Sequence, residues 1–178
     1  MKYTTEKIIN TGKKLKFVFF WGHQPNKDGS IGKSCFSQWW EAEFVIDAIT
    51  YKTAEHYMMA EKARLFNDEA TLLKIIDCKS PAAAKKLGRQ VKNFDTILWD
   101  QHKYKIVIKA NYEKFAQNPE LKEFLLQTKN RILVEASPVD KIWGIGLTKD
   151  DENIENPLKW RGLNLLGYAL MEVRDQLQ

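Results

Sequence analysis

Apolar residues in the first third of the chain come in short runs separated by turn-forming stretches, a pattern that predicts strands. Residues 16–21 (Lys-Phe-Val-Phe-Phe-Trp) form the first run, and residues 43–46 and 48–51 form two more around a turn at Asp47. Between them, Pro25, Asn26, Asp28, Gly29 and Gly32 supply turn chemistry across residues 24–34. From Thr53 onward the apolar spacing becomes helical. Thr53 opens a helix to about Phe66, Asp68 starts another to about Cys78, and Ser80-Pro81 offers an N-cap and first-turn proline for a third. A long helix is expected from Asn93 or Asp95 to Gln117, and a shorter one from Pro119 to Thr128. Residues 132–135 return to strand character, residues 148–159 are polar and acidic without a period, and Leu163 to Gln178 close the chain as a helix. The fold class expected is α+β: one mostly helical domain over residues 1–178, its core beginning near residue 16, with a small β-sheet.

Composition narrows the function classes. Hydrophobic residues at 44% and charged residues at 29% are the balance of a globular chain, not a disordered one. The longest apolar stretch, Phe17 to Trp21, is far too short for a bilayer, and nothing resembles a signal peptide, so a cytoplasmic protein with no membrane partner is expected. Cys35 and Cys78 stand in no CxxC motif, and His23, His56 and His102 are scattered. Neither a metal site nor a cofactor is therefore expected. A net charge of +5 and a pI near 9.1 favour an anionic ligand or nucleic acid.

Two segments carry candidate chemistry. In residues 51–63, Glu55 and Lys62 lie seven apart, about 20° short of two full helical turns, and so share a face. Their Cα atoms are then roughly 10 Å apart, too far for an ion pair and suited to gripping one ligand from two ends. Met58 and Met59 fall between them as core or pocket wall. Glu55 taken alone reads more simply as a helix charge favoured by the dipole. In residues 134–146, a strand leads through Pro138 to Asp140, Trp143, Gly144 and Gly146. That is a suitable pocket rim, where glycine lets a ligand approach the main chain. The plainer reading has Asp140 capping a turn and Trp143 plugging the core. Walker, GxSxG and HExxH motifs are absent.

Taken together, these motifs resemble the NADAR, or YbiA-like, family over almost the whole chain. The matching stretches include residues 53–62 (Thr-Ala-Glu-His-Tyr-Met-Met-Ala-Glu-Lys), residues 80–89, Asn93 with Trp99, and Lys114-Phe115. Further matches are residues 125–128, 133–135, 140–144 (Asp-Lys-Ile-Trp-Gly), 164–167 and 170–174. One departure is Ser37-Gln38, where many members read Ser-Asn: the serine is kept and the amide is one methylene longer. The resemblance implies a YbiA-like fold and N-glycosidase activity, on ADP-ribosylated guanine or on phosphorylated ribosylamino-pyrimidine intermediates of riboflavin synthesis. It implies functional roles for Glu55, Trp99, Asp140 and Trp143, with Lys62 added. The expected catalytic set is Glu55, Lys62 and Asp140. The expected substrate-binding set is Trp21, Ser37, Lys85, Arg89, Trp99, Trp143 and Gly144.

These residue types suit that reaction. Breaking a C–N glycosidic bond builds positive charge at the anomeric carbon and negative charge on the departing nitrogen, and Glu55 and Asp140 can divide those roles. Indole faces clamp a flat heterocycle and exclude water, although core packing explains either tryptophan equally well by itself. Lys62 as a neutral amine can attack the anomeric carbon as a Schiff-base nucleophile, provided burial beside Met58 and Met59 depresses its pKa; a charged Lys62 holding phosphate is the rival. Lys85 and Arg89, four apart, can hold a phosphate or diphosphate. From another class, a module that binds ADP-ribose or NAD without turnover remains an alternative, against which the acids beside a ribose argue. The sequence leaves oligomeric state open.

Overall fold

Side-chain oxygens at the residue before each helix decide where the helices begin. In the computed structural model, which describes residues 1–12 and 14–178, Thr53, Asp68, Ser80 and Asp95 each accept a backbone N–H three residues on. The elements among the described residues are α1 (Thr5–Ile9), β1 (Phe17–Phe20), β2 (Phe44–Ile46), β3 (Ile49–Tyr51), α2 (Ala54–Leu65), α3 (Glu69–Asp77) and α4 (Pro81–Gly88). They continue with α5 (Thr96–Gln117), α6 (Pro119–Leu126), β4 (Ile132–Glu135) and α7 (Leu165–Leu177). The chain is α+β and mostly helical. None of these helices is long and apolar enough to cross a membrane.

Strand content departs from the expected single sheet. Two separate two-stranded sheets form: β1 pairs in parallel with β4, Phe17 opposite Ile132 and Phe20 opposite Glu135, while β2 and β3 make an antiparallel hairpin. The physical reason is length, because strands of three or four residues carry too little pattern to specify their partner. α1 was not expected either. It is a single turn capped by Thr4 and held by Thr5 Oγ1 at 2.8 Å from the Tyr168 hydroxyl, a tertiary contact no local signal encodes. Residues 148–159 lack a regular element except a 3-10 turn at Pro157–Lys159.

The chain divides into two compact units, residues 1–37 with 120–178, and residues 38–119. In the first, α7 packs on the parallel strand pair. Asn164, fully buried, locks them: its Nδ2 donates to the Leu133 carbonyl at 2.9 Å and its Oδ1 accepts from the Glu135 amide at 3.0 Å. In the second unit, α2 is the central helix, packed against α3, α4 and α5. That explains why eight of its twelve residues are buried, Glu55 and His56 among them.

The β2–β3 hairpin carries a testable strain. Asp47 and Ala48 both have positive φ, 51° and 62°, the geometry of a two-residue turn that favours Asn-Gly. Ala48 is exposed, and its Cβ makes the left-handed region costly by about 1–2 kcal/mol. Ala48→Gly removes that cost against a smaller loss of backbone entropy, so the urea midpoint should rise with unchanged slope. A lower midpoint would contradict this account of the turn.

Candidate active site

Residues 53–56 set the start of α2 and the position of Glu55. Thr53 has extended backbone, with φ −149°, and its Oγ1 caps the helix while meeting His56 Nδ1 at 2.8 Å. His56 Nε2 lies 3.2 Å from the Cys78 carbonyl. A carbonyl only accepts, so Nε2 carries the proton and Nδ1 accepts from the threonine hydroxyl. Burial pushes the His56 pKa below its usual value. This neutral imidazole is a staple between α2 and the end of α3, committed at both nitrogens. Beside it, Glu55 is only 3% exposed and its amide donates to the Gln38 carbonyl at 2.9 Å. The Gln38 side chain is gripped in turn: Asn111 Nδ2 donates to its Oε1 at 2.7 Å and to the Val107 carbonyl at 2.9 Å. A buried carboxylate in the first turn of a helix gains from the dipole there.

Lys62, two turns further along α2, is half-buried. Its Nζ sits 4.0 Å from the centre of the Phe94 ring and 5.7 Å from that of Trp99. Among the described residues no carboxylate lies within 4.0 Å of it. Burial lowers its pKa from the ordinary lysine value. Two aromatic rings thus stand at the amine in addition to the expected Met58 and Met59 on the same helix. Met59 also reaches α4, where a Cβ on Gly88 would fall 2.0 Å from its sulfur.

Lys85 and Arg89 close α4. Lys85 Nζ lies 5.7 Å from the Trp39 ring centre, and Arg89 is the exposed C-cap residue. Within the unit formed by residues 38–119, the structure thus brings Lys62 to Trp99 and gives Lys85 an indole neighbour that sequence reasoning did not name.

The remaining candidates belong to the other unit. β1 and β4 run parallel and end together, and residues just beyond their carboxyl ends, Trp21 and Ala136, line a cavity of about 780 Å³. Ligands in parallel sheets favour that end of the strands. Trp21 is 61% exposed, and Ser37 caps the 3-10 turn Lys33–Phe36 with its amide on the Ser34 carbonyl. Asp140 Oδ1 accepts the Ile142 and Trp143 amides, both at 2.8 Å, and the Asp140 amide donates to Ser137 Oγ. These bonds make a tight turn that aims Trp143, leaving Oδ2 outside them. Gly144 is glycine for a reason internal to the chain: a Cβ there would meet the Glu135 carbonyl at 2.8 Å and the Asp140 carbonyl at 3.0 Å. Neighbouring protein backbone is by itself enough to require glycine at this position.

The doubly bonded oxygen makes Asp140 separable by experiment. Asparagine keeps an acceptor oxygen for the same turn but removes the charge. Asp140→Asn should melt with the parent protein and lose about 10²-fold in kcat, the cost of one electrostatic stabiliser. Full activity in that variant would leave Asp140 a turn-former only.

Sequence reasoning missed Phe94, Gln38 with Asn111, and Trp39. Phe94 was findable: an aromatic directly before the Asp95 cap stands where apolar residues pack back on the fold, and its ring meets Phe66 edge to face. The Gln38–Asn111 bond had no sequence signal. Among the described residues, no group of three or more His, Cys, Asp or Glu is placed to hold a metal ion.

Comparison with known proteins supplies the family and the fold. Residues 19–178 match the NADAR domain. The chain is 45% identical to N-glycosidase R617 of Acanthamoeba polyphaga mimivirus over 168 residues, 92% of this chain and 97% of that protein. It is 36% identical to N-glycosidase YbiA of Escherichia coli strain K12 over 132 residues, 74% of each chain. The NMR structure of E. coli YbiA superposes with a TM-score of 0.73 at 31% identity, covering 93% of this chain and 86% of that one. The family match and the N-glycosidases among these relatives mark the chain as an N-glycosyl hydrolase. The chain belongs to the NADAR domain family.

Proposed function

We propose that the enzyme removes ADP-ribose from guanine bases through a covalent intermediate on Lys62. The observation that carries this reading is the half-buried Lys62 amine, set against Phe94 and Trp99 with no carboxylate at ion-pair distance among the described residues. A lysine meant to hold phosphate gains from staying charged and hydrated, whereas desolvation without a counter-ion favours the neutral, nucleophilic form. The net charge of +5 and the exposed Arg89 suit an anionic diphosphate substrate.

The neutral Lys62 amine attacks the ribose anomeric carbon, forming a C–N bond as the bond to guanine breaks and its electron pair leaves with the base. The proton shed by the lysine nitrogen passes to the departing base, and Glu55 stabilises the positive charge that develops at the sugar. The lysine lone pair then forms the C=N bond as the ring C–O bond opens and the ring oxygen takes up a proton. Water adds to the iminium carbon, the lysine leaves as an amine, and the sugar closes. One water is consumed, and guanine and ADP-ribose are released.

Borohydride tests this directly. Reduction during turnover of an ADP-ribosylated guanine oligonucleotide should leave a stable adduct on the peptide containing Lys62, and none in Lys62→Ala. An active wild-type enzyme that yields no adduct would overturn the covalent route in favour of direct water attack. A parallel assay with a phosphorylated ribosylamino-pyrimidine decides the substrate: faster base release from that compound would replace the guanine reading.

A further inference from the structure

The unit formed by residues 1–37 and 120–178 holds a second cavity, of about 910 Å³, that shares none of the candidate site residues. Among the described residues lining it, Lys2, Lys7, Lys14, Lys16, Lys129 and Arg174 are cationic, and Asp175 supplies the one side-chain carboxylate. That carboxylate is already committed, since its Oδ2 accepts from the Tyr3 hydroxyl at 2.7 Å and from the Lys2 ammonium. The wall is also apolar in part, through Ile8, Ile132 and Met171, all buried.

Arg174 is the informative residue. It is 2% exposed, and its Nη1 donates to Thr128 Oγ1 and to the Arg131 carbonyl, both at 2.8 Å. Its Nε has no hydrogen-bond partner among the described residues, and no carboxylate there forms an ion pair with it. Burial lowers its pKa from the ordinary arginine value, an effect that nearby Asp175 and Tyr3 offset only in part. An almost fully buried guanidinium whose nearest acid, Asp175, is already shared with Lys2 and Tyr3 is a costly arrangement, and a bound anion offsets the cost. Around it, lysines at four separate points of the chain add a field of one sign.

We propose that this cavity binds a nucleoside phosphate, with the phosphates on the lysine and arginine groups and the nucleoside against Ile8, Ile132 and Met171. The phosphate comes from a free nucleotide or from one unit of a nucleic-acid strand, and the two sources share this chemistry. The site lies outside the Lys62 reaction, so it stands or falls independently of the proposed activity.

Amide chemical shifts of the labelled protein, followed in low salt while titrating ADP, inorganic pyrophosphate or an eight-nucleotide single-stranded DNA, test the proposal. ADP should shift residues 2–16 and 126–132, with affinity falling steeply as salt rises. Pyrophosphate should bind at least tenfold more weakly, because it lacks the apolar contact. DNA binding tighter than ADP assigns the strand as source, and weaker binding assigns the free nucleotide. The triple variant Lys7→Glu, Lys14→Glu, Lys129→Glu, confined to exposed side chains, should lose these shifts tenfold or more while base release is unchanged. Shifts absent from those segments, or undiminished in the triple variant, would overturn the site. Pyrophosphate binding as tightly as ADP would overturn its nucleoside part.

Discussion

Lys62→Met should be inactive and more stable than the parent enzyme. Burial depresses the Lys62 pKa, so the folded state binds protons less readily than the unfolded chain, and at neutral pH the half-buried ammonium costs stability. The cost is present below the depressed pKa and disappears only as pH rises past the unfolded value near 10.4. Methionine fills a similar volume, keeps contact with Phe94 and Trp99, and carries no charge, so the melting temperature at pH 7 should rise. Removing the nucleophile should cost about 10³-fold or more in kcat. Stability bought at the expense of function is the mark of a working residue, and no purely structural lysine would show it. Lys62→Arg separates the two chemical roles: arginine keeps the charge but never becomes a neutral amine. It should be as inactive as methionine. Substantial activity in Lys62→Arg would reassign Lys62 to phosphate binding. In the wild type, log kcat/KM should climb with unit slope and level off below pH 10.5, the ordinary lysine value.

Glu55→Gln should lower kcat by about 10²- to 10⁴-fold with little change in KM or melting temperature. The amide matches the carboxylate in size, and the Glu55 backbone bond to Gln38 is untouched, so the start of α2 keeps its geometry. What goes is the capacity for a negative charge at 3% exposure, where the surrounding protein screens poorly and a carboxylate acts strongly on a cationic transition state. A loss confined to KM would place Glu55 in ground-state binding instead. The two experiments also bear on each other. Because Glu55 acts on the charge that develops as Lys62 attacks, the double variant Glu55→Gln, Lys62→Met should be no worse than Lys62→Met alone.

Much of the helical framework is legible locally. Thr53, Asp68, Ser80 and Asp95 cap helices through bonds to amides three residues away, and those bonds depend on nothing distant. The shared face of Glu55 and Lys62 follows from helical periodicity in the same way. The turn at Asp47 was equally readable, though not that Ala48 would join it in the left-handed region.

Other features have no local cause. β1 selects β4 from across the chain, and a strand of four residues holds no address for its partner; Asn164 fixes the pair from a third place. The surroundings of Lys62 are of the same kind. Helical spacing placed Met58 and Met59 near it, but only the packing of α5 and the residue before its cap on α2 brought Trp99 and Phe94 to the amine. By itself, then, the sequence determined where helices start, which face of α2 carries the acid and the amine, and the family to which those motifs point. Tertiary structure alone decided what desolvates that amine, which strands pair, and that Arg174 is buried with no carboxylate at ion-pair distance among the described residues. The physical reason is range: caps and periodicity act within a turn or two of chain, whereas burial is conferred by whichever distant segments close over a side chain.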